Sequence, residues 1–586
     1  MNIELNIVGD IIKRVQGSIY MKKYLKDTWS MYLIFFVLCF MLFLYEPLLM
    51  YMSNVSDFWF SISTLFKMTS LLFIVIFIIM SVVLNAIYFL SKKNDKKTFK
   101  IMTIIAFVVF FSCYVQGNYL VGNLPVLDGS KIIWSDYKVD WIISIVLWII
   151  VIGGTIFAVK KFTLNKMSKY VGFISLAIFL MLTVSLLTTY LTTECVEEKE
   201  FLSLPTYKNI NKYSKDKNFV IFLLDCVDSR SFIVRLNKDI ENKDMLKDFT
   251  YYPDTMSVHG YTDESVPLIL SGKVYQNEKP IKDWATEMYK DSPLFKLMED
   301  NNYELNVYDE YFFYNDLSAE RISNLYDYKN NKEKVYENLS KFKFWKQEVK
   351  YILFRYLPSF IKKYSFIETM YFRPRDLVNR DDLTEKSFFV FSNDSNYKAF
   401  KQFEVKLEDK KNFKFIHLHG AHEPWNLDKK FNKIKKGTYD TGIDSSIAIT
   451  YEYLKLLKDN NIYDNTNLII MADHGFLKSG YSDGRQNPLF LVKAANEKHD
   501  KMQVSNKPIS FVDLDGMYKD LMDGKKSKDL FINIPDKRTR RFLKYTFNNK
   551  NVMTEYETKD KAWETSKMYE TGKKFSKSWW NIWLEF

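Results

Sequence analysis

The chain has 586 residues, too many for one ordinary domain, with 47% hydrophobic residues, 17% aromatics and a formal net charge of +12. Its four cysteines, at unrelated spacings, exclude a disulfide-built scaffold and a zinc knuckle. The basic excess reads partly as loop charge on a membrane protein, which argues against a nucleic-acid partner.

Five apolar stretches come first, near 29–51, 68–91, 101–121, 140–159 and 168–191. Each has the roughly 20 residues that a bilayer crossing needs. The first is too long for a cleaved signal peptide and lacks a small-residue cleavage site. Lysines mark the cytoplasmic side. The 92–100 loop carries Lys92, Lys93, Lys96, Lys97 and Lys100, and the 160–169 loop carries Lys160, Lys161, Lys166 and Lys169. Lys13, Arg14, Lys22, Lys23 and Lys26 precede the first stretch, whereas the 52–66 loop holds only Asp57. Five crossings from a cytoplasmic start put everything after about 193 outside the cell membrane. An outside domain without disulfides fits a bacterial surface.

Residues 194–217 read as a polar linker. FVIFLLDCVD, 219–228, then ends an apolar strand at Asp225. Further strands are expected at 303–308, 413–418 and 488–493, with NLIIMADHGF, 467–476, ending another strand at Asp473 and His474. Helical patterns at 445–459 and 511–524 alternate with them. Unbroken apolar strands between helices predict an α/β domain with a mostly parallel sheet covered on both faces. Ligands bind such sheets at the carboxyl ends of strands. Asp225, His422 and the Asp473–His474 pair all fall just past such ends. Residues 341–373 mix aromatics with Lys and Arg; they read as an ordinary helical pair packed on this domain, with an interfacial segment on anionic lipid as the alternative. The tail from about 536 is charged and ends in Trp579, Trp580 and Trp583.

The chemistry concentrates in HGYTDESVPLILSG, 259–272. Asp263, Glu264 and Pro267 mark a helix start, which puts the Thr262 hydroxyl at the positive end of a helix dipole, a place suited to phosphate. A threonine hydroxyl stays protonated at neutral pH and is a poor nucleophile. Coordination to a divalent metal is one route to the alkoxide. A hydroxyl, an acid and an Asp-His pair around one ion would meet that need. His259, three residues before Thr262, reads as a loop histidine or a substrate contact. Arg230 is balanced between a phosphate contact and a solvated helix residue.

Taken together these motifs resemble the alkaline phosphatase/sulfatase superfamily, and within it the membrane-anchored lipoteichoic acid synthases and phosphoethanolamine transferases. The likeness rests on Asp225 in FLLDCVD, Thr262 in TDESVPLILS, His417 to Pro424 in HLHGAHEP, and Asp473–His474 in ADHGF, in that order beneath five apolar stretches. The resemblance implies that Asp225, Thr262, Asp473 and His474 hold one divalent metal ion, manganese by preference, with zinc and magnesium compatible. It implies that Thr262 is also the nucleophile and that His422 contacts phosphate or passes a proton to the leaving group. His417 and His419 read as structural. No further carboxylate and histidine set suggests a second metal.

The expected layout is a cytoplasmic segment 1–28, a transmembrane domain 29–193, the linker 194–217, a catalytic domain 218–535 and a C-terminal extension 536–586. The position of the sulfatase formylglycine residue is Thr262, which cannot mature to formylglycine, so sulfate ester hydrolysis is set aside. The expected reaction moves a phosphoglycerol-type head group from a membrane phospholipid, phosphatidylglycerol by preference, through phospho-threonine to a surface polysaccharide, teichoic acid or glycolipid. The alternatives are phosphoethanolamine transfer and a phosphodiesterase of the same superfamily. A non-catalytic wall-binding scaffold would tolerate loss of Thr262.

Overall fold

The computed structural model describes residues 2–55, 58, 60–91, 96–121, 134–193, 204–239, 243–310, 321–326, 339–365, 372, 377–378, 383–476, 484–546 and 549–576, with the backbone alone at 2–20, 282, 546 and 549–551. The Trp-rich end lies outside the described residues. The chain forms two compact units: Met1–Lys199 with Val335–Val378, and Glu200–Lys334 with Asn379–Phe586.

In the first unit, five helices among the described residues are long and apolar enough to cross a membrane: Met21–Ser53, Ile62–Leu90, Lys97–Tyr119, Trp134–Phe162 and Leu164–Thr192. Each contains or overlaps one of the five expected stretches. Their mutual core includes Ile34, Val37, Phe107, Phe110, Val171, Ile178 and Leu182. Many remaining apolar side chains, such as Ile78, Val82, Ile149, Phe157 and Val184, point outward, as lipid-facing residues do.

The layout expected from sequence placed 341–373 in the catalytic domain. The structure places Val335–Val378 with the apolar helices instead. The helix Lys341–Tyr356 and the short helix Ser359–Tyr364 contribute Ile352 and Tyr356 to that core. The physical reason is polar as well as apolar. Glu46, buried in the first apolar helix, accepts hydrogen bonds from Tyr351 Oη at 2.7 Å and Tyr356 Oη at 2.9 Å, and pairs with Arg355 Nε at 2.6 Å. A carboxylate in an apolar helix needs such partners, and only this insertion brings them to it.

The second unit is built on a seven-stranded sheet. Its strands are β1 (Asn218–Leu224), β2 (Thr250–Tyr251), β3 (Tyr303–Tyr308), β4 (Lys411–Leu418), β5 (Thr466–Met471), β6 (Phe490–Lys493) and β7 (Gln503–Val504). The spatial order is β7-β2-β6-β5-β1-β4-β3. The four adjacent strands β5, β1, β4 and β3 are parallel, with β3 at the sheet edge, and β6 runs antiparallel to both β5 and β2. The mostly parallel sheet follows from burial on both faces. Phe219, Ile221 and Leu223 face helices Thr262–Ser271, Pro293–Asp300 and Leu514–Met522. Val220, Phe222 and Leu224 face helices Ser229–Lys238, Asn393–Gln402 and Tyr439–Asp459. Truncating any of these fully buried side chains to Ala would cost about 2–5 kcal/mol.

Beyond the sheet, β8 (Arg540–Thr546), β9 (Asn549–Thr558) and β10 (Tyr569–Ser576) form an antiparallel sheet within the same unit. Arg540 ties it down: the guanidinium is buried and donates to the Asp254 carboxylate at 2.8 Å and the Asp254 carbonyl at 2.7 Å.

Candidate metal centre

Parallel registers bring one end of each of these four strands to a common rim. Leu224 pairs with Leu418, Leu223 with Met471, and Tyr308 with Ile416. The residues just beyond these ends therefore meet: Asp225 after β1, Asp309 after β3, and Asp473 and His474 after β5. His417 is the penultimate residue of β4.

Two backbone devices hold the rim tight. Gly420 has φ +57°, and a Cβ there would sit 2.3 Å from the Asp225 carbonyl oxygen, so the close approach of β4 to β1 requires glycine. Cys226 takes a left-handed φ of 63°, a conformation costing a non-glycine residue about 1–3 kcal/mol. That turn aims the Cys226 N–H at Asp473 Oδ1, 3.1 Å away. The His474 N–H donates to the same oxygen at 2.9 Å.

Thr262 opens the helix Thr262–Ser271, as expected, with Asp263 and Glu264 in the first turn. Its Oγ1 lies 3.5 Å from Asp225 Oδ2. His474 donates from Nδ1 to the Gly475 carbonyl at 2.7 Å, leaving Nε2 to face Asp473 Oδ2 at 3.4 Å and Asp225 Oδ1 at 3.8 Å. Burial, with Arg485 assisting against Asp473, holds His474 below the ordinary imidazole range, so its Nε2 presents a lone pair. Burial opposes charge on Asp473, and the Cys226 N–H and the Thr262 side chain donate to its carboxylate.

Asp225, Asp473 and His474 are each at most 2% exposed, and Thr262 is 7% exposed. Carboxylate oxygens and imidazole nitrogens thus converge at separations too long for hydrogen bonds and of the order set by shared ligation of one ion. Asp225, His417 and Asp473 place ligand atoms within 4.8 Å of one another, and so do Asp225, Cys226 and His474. This mixed oxygen and nitrogen set fits a divalent cation and does not single out one metal.

The structure also changes the ranking of the histidines. His417, read as structural from the sequence, joins the cluster: its Nε2 is 3.9 Å from Asp225 Oδ2, and its Nδ1 donates to Asp309 Oδ1 at 3.0 Å. His422, the favoured histidine, stands half-buried with its ring 5.7 Å from that of His419 and its Nδ1 donating to the Glu423 carbonyl. His259 is 1% exposed in the irregular stretch before Thr262, and burial pushes its imidazole down to about 3. Arg230 lies over the Trp563 ring at 4.6 Å, an aromatic partner supplied by the C-terminal extension.

Arg485 was missed from sequence. It donates to the Gly260 carbonyl at 3.1 Å, sits over the Tyr261 ring at 4.8 Å and acts electrostatically on His474. The only cue was a lone arginine twelve residues after Asp473 in a stretch rich in Gly, Ser and Asp.

Among curated proteins no match is found. Solved structures similar to this chain include an alkaline phosphatase superfamily protein from Vibrio parahaemolyticus, at 13% identity over 64% of this chain and 87% of that one, with a TM-score of 0.35. The lipoteichoic acid synthase LtaP from Listeria monocytogenes aligns at 13% identity over 61% of this chain and 88% of that one, TM-score 0.31. The periplasmic domain of EcEptC from Escherichia coli aligns at 12% identity over 57% and 91%, TM-score 0.31. The family model described as Sulfatase matches residues 217–523, a span that holds every residue of the cluster. The chain therefore belongs to the sulfatase family, as an enzyme of phosphoryl or sulfuryl transfer or hydrolysis.

Proposed function

We propose that this enzyme transfers a phosphoglycerol-type head group from a membrane phospholipid to a hydroxyl of a surface glycan, teichoic acid or glycolipid. The observation that carries the reading is the Thr262 hydroxyl at a helix start, 3.5 Å from the Asp225 carboxylate and in one buried cluster with Asp473 and His474. A threonine there cannot become formylglycine, so a covalent phospho-threonine route is the chemistry open to it. The five apolar helices support a lipid donor, and the lysine-rich loops support an α/β unit on the outer side of the cell membrane.

A divalent ion bound by Asp225, Thr262, Asp473 and His474 would lower the pKa of the Thr262 hydroxyl and offset charge at phosphorus. Thr262 Oγ1, having lost its proton, forms a bond to phosphorus. The bond from phosphorus to the diacylglycerol oxygen breaks, its electron pair leaves with that oxygen, and the oxygen takes up a proton. His417, fixed on Asp309, keeps its Nε2 toward the reacting centre, and His422 serves the leaving group. Arg485 supplies positive charge toward the phosphate. The acceptor hydroxyl then loses its proton and bonds to phosphorus as Thr262 Oγ1 departs and is reprotonated, so no net proton is consumed.

Mass spectrometry of the Thr262 peptide, after incubation of the full chain with each lipid, tests this reading. A glycerol phosphate adduct from phosphatidylglycerol supports it. A phosphoethanolamine adduct from phosphatidylethanolamine replaces the donor, and no adduct from any lipid contradicts the covalent route.

A further inference from the structure

The catalytic rim makes no use of the insertion at 341–364. Its helix Lys341–Tyr356 is pinned to one end of the apolar helices. Trp345 Nε1 donates to the Met68 carbonyl at 3.0 Å, and the Phe344 ring meets Phe60 at 5.7 Å. The Ser359 N–H donates to Ser144 Oγ at 3.2 Å, and Glu46 receives Tyr351, Tyr356 and Arg355. Met68 and Ser144 lie early in their helices and Glu46 lies late in its own, so all mark the end opposite the lysine-rich loops at 92–100 and 160–169.

The opposite face of the helix is exposed among the described residues. Phe342, Lys346, Val349 and Leu353 are all exposed and recur every three to four residues, which is one helical stripe. Phe360 and Tyr364 extend it, and Phe342 and Tyr364 are 76% and 78% exposed. A stripe this apolar on a water-facing surface would be an aggregation hazard. The same helix is packed by Ile352 and Tyr356 against apolar helices whose own outward side chains are apolar.

Charge says what kind of lipid. Residues 341–364 contain Lys341, Lys343, Lys346, Lys350, Arg355, Lys362 and Lys363 against one acid, Glu348. Glu348 is 2% exposed, so no acid stands on the exposed surface of this segment, and burial pushes its carboxyl well above the usual range. Arg355 is matched by Glu46, and Lys362 Nζ caps carbonyls at the helix end, including Arg355 O at 2.6 Å. Lys341, Lys346 and Lys363 are exposed on the same segment as the apolar stripe.

We propose that residues 341–364 form an interfacial platform that lies in the outer-leaflet headgroup region and binds anionic phospholipid, its apolar stripe against acyl chains and its lysines on phosphate. Such a pairing of apolar area with exposed lysines is how in-plane helices hold to anionic bilayers. The platform stands whether or not the transferase reading is right.

The test uses the full chain in vesicles carrying a photoactivatable acyl-chain probe, on phosphatidylglycerol in one arm and on phosphatidylcholine in the other. After irradiation, the peptide covering 341–364 is mapped by mass spectrometry. The expected result is at least about threefold more adduct on that peptide from the phosphatidylglycerol probe, a preference lost in the K341Q/K346Q/K363Q variant. Equal labelling by both probes, labelling of the spans without this peptide, or a preference that survives the triple substitution would overturn the proposal. The two-probe comparison needs no variant, and surface Lys→Gln changes leave the Glu46 contacts intact.

Discussion

Two buried polar clusters, one in each unit, are built on opposite principles. At Glu46 every acceptor has a donor: two tyrosine hydroxyls and a guanidinium surround one carboxylate. At the strand rim, acceptors face acceptors: His474 Nε2 looks at the oxygens of Asp225 and Asp473 across 3.4–3.8 Å. The first cluster is complete as protein. The second becomes favourable when a cation enters, because buried carboxylates need a compensating charge. The difference separates a structural pin from a functional site, although both hold acids in apolar surroundings.

The largest effect should come from Thr262→Ala. Turnover of the lipid donor is expected to fall by about three orders of magnitude or more, as when a covalent nucleophile is removed, with the melting temperature nearly unchanged. Full activity in that variant would reduce the rim to a binding site.

Glu46→Gln should leave Arg355 without its counter-charge and cost about 3 kcal/mol, the low end for a broken buried pair because Arg355 is partly exposed. Asp225→Asn should do the reverse in metal-free protein, leaving stability unchanged or raised, since it removes one of two like charges. Thermal melts of both variants in chelator sharpen the contrast; equal destabilisation would erase it.

Chelation itself should lower the stability of the wild type by about 2.7 kcal/mol relative to metal at a hundredfold excess over its Kd, and should do nothing to Asp225→Asn. Asp309→Asn loosens His417 without touching the carboxylates of the rim. Loss of such an orienting partner is expected to cost about 10–100-fold in metal affinity or activity, read by metal titration and kinetics.

The smallest effect concerns pH. The buried His259 imidazole sits at about 3, below the ordinary 6.5. On acidification the unfolded chain takes this proton first. The contribution is therefore complete above about 6.5 and is lost as pH falls toward 3. Between pH 7 and 5 it amounts to about 2 kcal/mol, and His259→Leu should shrink the wild-type loss by that much in melts at the two pH values.

The acids that end apolar strands were legible in the sequence. Asp225, Asp473 and His474 stand where period and polarity break together, and Thr262 stands where two acids and a proline announce a helix. All four arise from local pattern. His417 reads as structural from sequence, because it lies inside β4 and owes its place to Asp309, which follows β3 and is brought near by pairing of strands more than a hundred residues apart. The insertion at 341–373 was misplaced for a related reason. Its partners Glu46, Met68 and Ser144 are distant in sequence, and Glu46 within an apolar run gave no hint of the tyrosines it would receive.

The acceptor-against-acceptor geometry makes the central claim that one cation belongs at the strand rim. Anomalous diffraction from crystals grown with manganese tests it most directly. A single peak bound by Asp225, Thr262, Asp473 and His474 Nε2 is the predicted result. Full lipid turnover with no peak at the rim would contradict it, and so would a peak that leaves Thr262 outside its coordination.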